Sequence, residues 1–143
     1  KARVFVPSTQ TGEAWLILLN RYAPLATNNN WSVQVAMCVT NCTTAGALPG
    51  QVVNVGGSDV AGTGTAPLIT NQWVEIRVEA NLTANSYSVF YNNVLLDTKG
   101  WTINGLLEIQ AMDLFSNLSN ESYMDNVWLD TTVPVELTTF TVE

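Results

Sequence analysis

The sequence contains no histidine, and only 12% of its 143 residues are charged. Without histidine the chain lacks the usual general base, so a triad that activates serine or cysteine has no ordinary proton acceptor. A pairing of serine with Lys1 or Lys99 is the formal alternative, although no pattern in the sequence supports it. The absence of histidine also removes the commonest ligand of transition metals. The sequence therefore argues against nucleophilic catalysis and against a transition-metal site.

Basic residues are also scarce, because five Lys and Arg stand against twelve Asp and Glu, for a net charge of -7. Nucleic-acid binding needs a basic patch that neutralises phosphates, and this balance opposes it. The same balance gives no reason to expect an anionic membrane surface as partner. No apolar run approaches the roughly 20 residues that a membrane-spanning helix requires. We therefore expect no nucleic-acid partner and no membrane insertion.

A starting methionine and a recognisable signal peptide are both missing. Lys1 stands directly before the strand-like segment RVFVP, so we expect either a processed mature chain or a piece of a longer one. The only two cysteines, Cys38 and Cys42, are so close in sequence that they can bridge only across a turn. A disulfide would indicate an oxidising compartment, whereas two free buried thiols are the alternative.

Alternation of apolar and polar residues is the pattern that the sequence has in abundance. From 73 to 80 the even-numbered residues are apolar and most odd-numbered ones are charged. A period of two predicts a strand with one buried and one wet face. A polar turn follows, and a second alternating run ends at Asn92-Asn93. This pair suits a two-residue hairpin turn, because Asn tolerates positive φ.

Other segments extend this β-rich pattern along the chain. Glu13–Asn20 is almost continuously apolar and predicts a strand buried on both faces, with a short helix as the alternative. The Gly-, Ser- and Thr-rich stretch 56–70 has no phosphate-binding motif and predicts a surface crossover. Further strands are predicted at 3–7, 31–39, 51–55, 106–114, 121–130 and 135–142. About ten strands without a helix predict an all-β fold, a two-sheet antiparallel jelly roll or β-sandwich.

Three segments carry a resemblance to a known family. They are RVFVPSTQTGEAWLILLN (3–20), NQWVEIRVEANLTANSYSVFYNNVLLD (71–97) and LLEIQAMDLFSN with SYMDNVWLD (106–117 and 122–130). In this order residues 1–130 resemble the concanavalin A-like (laminin-G-like) jelly-roll modules of secreted bacterial surface proteins. Residues 131–143 resemble the linker and strand that precede Bacteroidetes-type sorting domains. The resemblance implies a secreted or cell-surface location.

The resemblance also implies an incomplete sheet. Family members usually carry a strand before the position of RVFVP, and that strand is missing here. We therefore expect an unpaired edge or an open apolar groove beside RVFVP, and exposed edges are templates for another strand.

Glu75 and Glu79 are the best candidates for an enzyme site. The resemblance suggests a comparison with jelly-roll glycosidases, which carry two glutamates at alternate positions of one strand and an aspartate between them. Here the middle residue is Arg77, whose guanidinium favours ionised carboxylates and works against a protonated general acid. We therefore expect an exposed charge ladder at these positions and a protein that is not an enzyme.

Aromatic residues near predicted loops are candidates for glycan binding. Tyr22, Trp31 and Trp101 could offer flat rings to a pyranose face. The alternative is that these rings pack in the core or at its rim.

Asp125 is the best metal candidate, because the resemblance implies an aspartate at this position that can hold a structural calcium. Asp59 and Asp113 are weaker partners, and the alternative is an aspartate that satisfies a turn. We expect no other cofactor.

Five N-x-[ST] sequons are candidate glycosylation sites if the chain passes through a glycosylating secretory route, and are polar surface otherwise. They lie at Asn30, Asn41, Asn81, Asn117 and Asn120.

These observations lead to one main hypothesis, a non-catalytic secreted structural or adhesive subunit that self-assembles into extracellular filaments by terminal strand exchange. Backbone hydrogen bonds would give affinity, and a head-to-tail contact makes open filaments. The apolar residues of the expected assembly strands are Val4, Val6, Val135, Leu137, Phe140 and Val142. The partner would be another copy or a neighbouring surface protein. A carbohydrate-binding module is the alternative, and a glycan hydrolase ranks last.

Overall fold

The computed structural model describes residues 1–23 and 28–131, and all ten elements in them are strands. They are β1 (Ala2–Phe5), β2 (Glu13–Arg21), β3 (Asn30–Cys38), β4 (Gln51–Asn54), β5 (Thr65–Pro67), β6 (Trp73–Asn81), β7 (Ser86–Tyr91), β8 (Val94–Gly100), β9 (Ala111–Asn117) and β10 (Tyr123–Asp125). No helix in these residues is long and apolar enough to cross a membrane.

The strands form two five-stranded sheets. One, called here the β6 sheet, has the order β10-β1-β6-β7-β8, and the other, the β2 sheet, has the order β5-β4-β3-β2-β9. Every pair of neighbouring strands is antiparallel. The inner faces of both sheets contribute to one buried apolar cluster. The predicted all-β, two-sheet sandwich is therefore confirmed.

The alternating segment at the centre of the sequence folds as its pattern predicts. Val74 and Ile76 of β6 are buried in the core, whereas Trp73 and Glu75 point to the outer face. The β7–β8 hairpin closes through Asn92-Asn93, with φ of 49° and 61°, and Tyr91 pairs with Val94. Two successive positive φ values make the two-residue turn whose twist matches that of the strands.

Strand β2 is buried on both faces, as its continuous apolar sequence predicts. Its even-numbered apolar residues enter the core between the sheets. Its odd-numbered ones form a second cluster on the outer face of the β2 sheet, together with Ala36, Ala47 and Val53. The loop 41–50 supplies Ala47 and covers this outer cluster. A strand in such a position has no wet face, which explains the lack of alternation.

Two attachments hold the loop 41–50 in place. The first is the Cys38–Cys42 disulfide, which confirms the predicted bridge. The second is the fully buried carboxylate of Glu13, which accepts hydrogen bonds from the N–H groups of Thr43 and Thr44 and from the side chains of Thr44 and Asn117. Burial disfavours the charged carboxylate, but the bonds from Thr44, Thr43 and Asn117 outweigh it and hold the pKa of Glu13 at about 2. The sequence analysis did not identify this anchor.

Three predicted boundaries were wrong. The crossover 56–70 contains β5, which pairs with β4. The strand predicted at 106–114 begins only at Ala111, because residues 101–106 form a turn that Trp101 Nε1 closes on the Leu106 carbonyl oxygen. The strand predicted at 121–130 is confined to β10, since Asn126 adopts a φ of 51° that interrupts it.

Part of the C-terminal prediction lies outside the described residues. This applies to residues 132–143 of the predicted linker and strand, and hence to Val135, Leu137, Phe140 and Val142.

Candidate strand-accepting groove

The β6 sheet has a gap beside the second half of β6. Strand β1 pairs with β6 only over Ala2–Phe5, opposite residues 73–76, whereas β6 continues to Asn81. Within 1–23 and 28–131, no strand pairs with this side of β6 beyond Ile76. The sequence analysis expected an unpaired edge beside RVFVP, whereas the gap lies beside the second half of β6. The segment RVFVP itself is not an edge, because β1 is flanked by both β6 and β10, and Val4 and Val6 are buried.

On the open side of β6, two residues have backbone groups without a partner among residues 1–23 and 28–131. The Glu75 carbonyl accepts a hydrogen bond from the Asn92 N–H at 2.9 Å, so odd-numbered residues of β6 bond toward β7. Backbone groups alternate in direction along an antiparallel strand. Val78 and Ala80 therefore direct their N–H and C=O groups into the gap, where the described chain offers them no partner.

An apolar cavity lies under this edge, between the two sheets. Its volume is about 310 Å³, and an outer hollow of about 810 Å³ beside it shares Lys1, Val78, Ala80 and residues 128–130 as lining. Together we call these spaces the groove. The inner cavity is lined mainly by apolar side chains, with Lys1, Gln110 and residues 128–130 also contributing. The apolar ones are Leu16 and Leu18 of β2, Ile76, Val78 and Ala80 of β6, Ala111 and Met112 of β9, and Ile109 just before β9. The side chains of Val78 and Ala80 thus face a space that no described strand fills.

The chain that follows β10 forms the other wall. The N-terminal ammonium of Lys1 donates to the Trp128 carbonyl at 2.7 Å, and the Trp128 N–H donates to the Lys1 carbonyl at 2.8 Å. Leu129 and Asp130 then continue past Lys1 and line the groove. The side chains of Trp128 and Leu129 are 62% and 69% exposed. The gap is therefore a slot with β6 on one side and residues 129–130 on the other.

Charged side chains line the outer edge of the slot, on the solvent-facing side of β6. We call this edge the outer lip. Lys1 Nζ lies 3.5 Å from a Glu75 oxygen, and Arg77 Nε lies 3.2 Å from Glu79 Oε1. The Arg77 guanidinium also lies 4.3 Å from the centre of the Phe90 ring. Glu75 and Glu79 each contact a cation on the outer face, which is the arrangement of a charge ladder. The prediction that the protein is not an enzyme stays a prediction.

The predicted aromatic platform is not assembled. Tyr22 and Trp31 are exposed, but Trp101 is fully buried and packs edge-to-face against Tyr87 at 6.2 Å. The proposed role of Trp101 in glycan binding is therefore corrected, because a buried indole offers no face to a sugar. The first part of the turn 101–106 is held by Asp59, which accepts from Thr102 Oγ1 and from the N–H groups of residues 103 and 104.

A different aromatic row occupies the outer face of the β6 sheet. Phe5 lies between Trp73 and Tyr123, with ring centres 5.6 and 6.0 Å apart. The three residues are directly opposite one another on β10, β1 and β6, and Trp73 and Tyr123 are 41% and 51% exposed. The sequence analysis missed this aromatic row. Alternation along β6 did indicate that Trp73 and Val74 point to different faces of the sheet. The alignment of Trp73 with Phe5 and Tyr123 depends on the register of distant strands, which the sequence does not give.

The predicted calcium ligands are not brought together. Asp125 lies on the outer face of β10, opposite Arg3, and its Oδ1 accepts the Asn126 N–H at 2.7 Å. Asp59 belongs to the turn described above, and Asp113 lies on β9. Among the described residues no group of three or more His, Cys, Asp or Glu could hold a metal ion. Asp125 thus makes the turn contact that was its alternative role, and the calcium site stays a prediction.

The five sequons differ in exposure. Asn41, Asn81 and Asn120 are exposed, whereas Asn30 and Asn117 are half-buried. The side-chain nitrogen of Asn117 donates to the Glu13 carboxylate at 3.1 Å, so a glycan there would displace this bond. Glycosylation itself stays a prediction.

No family model matches the sequence, and no curated protein or solved structure matches it either. The order of strands does not by itself identify a concanavalin A-like module. The family resemblance therefore stays a prediction that rests on the segments given above.

Proposed function

We propose that this protein is a non-catalytic structural or adhesive subunit that assembles by taking a β-strand from a neighbouring copy into the groove. The observation that carries the proposal is the open edge at Val78 and Ala80, which lies directly over an apolar cavity. A strand in this position would receive backbone hydrogen bonds from β6 and bury its inward side chains. Such strand addition is a recurring mode of association, in which the main chain gives affinity and pockets give specificity.

Two further features support assembly at this place. Unpaired backbone groups at a sheet edge are templates for another chain unless the edge is blocked, and Val78 and Ala80 carry no charge that would block it. The groove is also flanked by the exposed Trp128 and Leu129, and large exposed apolar patches mark interaction sites. Because acceptor and donor surfaces differ, copies would join head to tail into filaments.

The proposed location is extracellular or on the cell surface, in agreement with the family resemblance. The Cys38–Cys42 disulfide supports it, since such bridges persist mainly in oxidising compartments.

The test is the size of the full chain in solution. We expect size-exclusion chromatography with light scattering to show oligomers whose mass rises with concentration, and negative-stain images to show filaments. Ala80→Lys places a charge in the groove and should raise the concentration needed for assembly by roughly 100-fold or more. The matched control is Thr83→Lys in the exposed β6–β7 turn, which should assemble normally. A wild-type chain that stays monomeric at millimolar concentration contradicts the proposal.

Carbohydrate binding is the second candidate, and the row Tyr123–Phe5–Trp73 favours it. Two exposed rings flank a third, and the neighbouring row on the same face consists of Asp125, Arg3 and Glu75. Aromatic faces suit the C–H faces of a sugar, and charged side chains can bind its hydroxyl groups. The net charge of -7 makes a neutral glycan more suitable than a polyanion.

Affinity electrophoresis in gels that contain neutral polysaccharides tests this candidate. We expect retardation that is lost in Trp73→Ala and Tyr123→Ala but kept in Trp31→Ala, which removes an exposed ring elsewhere. Equal retardation of all three variants would count against the aromatic row.

A further inference from the structure

We infer that the strand entering the groove is residues 139–143 of a second copy, antiparallel to β6, with Phe140 opposite Ala80 and Val142 opposite Val78. This inference rests on the proposed assembly and names its donor segment and register.

The position of the chain after β10 makes the C-terminal segment the natural donor. The described chain reaches Thr131 immediately after Asp130, which lines the groove. Residues 132–143 follow and contain the β-rich sequence VELTTFTV. A segment of this length can leave one copy and reach a neighbour, because an extended chain gains about 3.3 Å per residue.

The slot requires a donor with two apolar side chains separated by one residue. On the open side of β6 only Val78 and Ala80 direct both their backbone groups to the gap and their side chains to the cavity. Residues opposite each other on paired strands place their side chains on the same face. Two pairs in the segment satisfy this spacing without a proline, Val135 with Leu137 and Phe140 with Val142.

The charges on the outer lip distinguish the two pairs. If Val135 and Leu137 entered opposite Ala80 and Val78, Glu136 would lie opposite Glu79, and like charges directly opposite destabilise a sheet. If Phe140 and Val142 enter, Thr141 lies opposite Glu79, and Glu143 reaches the end of the slot, where Lys1 continues the register of β1 opposite Arg77 and both cations lie near it. The second register replaces a repulsion by an attraction.

Local size and backbone chemistry favour the same register. It places the large Phe140 ring opposite Ala80, the smallest side chain of β6 that lines the cavity. It also keeps Pro134, which cannot donate a hydrogen bond, well outside the slot. The Val135 register would place that proline immediately beside the paired residues.

A second copy covers more of the exposed apolar surface than the segment of the same chain would. A strand folded back from the same chain fills the slot but leaves the flanking side chains of Trp128 and Leu129 beside it. The body of a neighbouring copy can also cover this flank, so donation between copies buries a larger apolar area.

The experiment uses the full chain with substitutions in the donor segment. Phe140→Asp should weaken assembly by roughly 100-fold or more, because it removes the main apolar anchor and buries a charge. Thr139→Asp is the matched control, since its side chain faces outward and should change assembly by roughly threefold at most.

A charge exchange tests the register. Arg77→Glu and Glu143→Arg should each weaken assembly, and the double variant should recover part of it, because the attraction between positions 77 and 143 is restored with reversed sign while Lys1 still faces residue 143. A fluorescent peptide of residues 132–143 should bind the Phe140→Asp chain, whose groove is empty, and should dissolve wild-type oligomers.

The outcomes separate this inference from the proposed function. Assembly that is unaffected by Phe140→Asp overturns the donor segment while the proposed assembly stands. Loss of assembly in Val135→Asp and Leu137→Asp, with Phe140→Asp normal, overturns the register. A strictly monomeric wild type that excludes the peptide, beside a Phe140→Asp chain that binds it, shows that the segment folds back on its own copy and overturns donation between copies.

Discussion

Replacement of Glu13 by glutamine tests how the loop 41–50 is held. The carboxylate is fully buried and accepts hydrogen bonds from Thr43, Thr44 and Asn117. A glutamine of the same shape keeps an acceptor oxygen but turns the second oxygen into an NH₂ group. That group would face the Thr44 hydroxyl and the Asn117 amide, which are donors, and unsatisfied buried polar groups are costly.

The expected magnitude follows from the pKa of Glu13, which hydrogen bonding lowers from 4.5 to about 2. This difference corresponds to about 3 kcal/mol of folding free energy at neutral pH. Because the folded pKa is lowered, the contribution is fully present above pH 4.5 and is lost as the pH falls toward 2. Glu13→Gln should therefore lose about 2–3 kcal/mol at pH 7.

Urea denaturation between pH 2 and pH 7 provides the measurement. The wild type should gain stability as the pH rises through this window, and Glu13→Gln should show a flatter profile. Glu79→Gln removes a largely exposed carboxylate and should change stability by at most about 0.5 kcal/mol. If Glu13→Gln and wild type had the same slope below pH 4.5, the buried carboxylate would not be the anchor described here.

Three further predictions concern stability. Reduction of the Cys38–Cys42 disulfide should cost about 2 kcal/mol, because the closed loop is short, and thermal unfolding with and without reductant measures it. Trp101→Ala should cost about 3–5 kcal/mol in urea denaturation, and a cost below 1 kcal/mol would be inconsistent with its full burial. Gly12→Ala should destabilise the protein more than Gly50→Ala in the same assay. Both glycines have positive φ, but an added Cβ at Gly12 meets the backbone of Leu118 at 2.3 Å, whereas Gly50 has open space.

Local patterns in the sequence predicted the sheets well because they depend on neighbouring residues. The alternation around Val74 and the turn at Asn92-Asn93 are set by backbone geometry within a few residues, and both were confirmed. The short spacing of Cys38 and Cys42 likewise led to the observed disulfide. The continuous apolar run of β2 correctly indicated two buried faces.

Features that depend on long-range pairing could not be predicted in the same way. Trp101 lies beside a predicted loop and nevertheless is fully buried, where it packs against Tyr87 and its Nε1 donates to the Leu106 carbonyl. The open edge was expected beside RVFVP, but there β1 is paired with both β10 and β6. The open edge lies instead at Val78 and Ala80, because β1 is shorter than β6. Only the register of distant strands determines these positions.

Because backbone groups alternate in direction along β6, two of its amide protons can show whether the slot is filled. Only the amide protons of Val78 and Ala80 point into the gap, while their odd-numbered neighbours are bonded to β7. These two protons should exchange rapidly with deuterated solvent in an empty slot and slowly in a filled one. A pair of resonances in one strand would therefore measure the fraction of copies whose slot is filled, and the dependence of that fraction on protein concentration would distinguish a neighbour's strand from the chain's own.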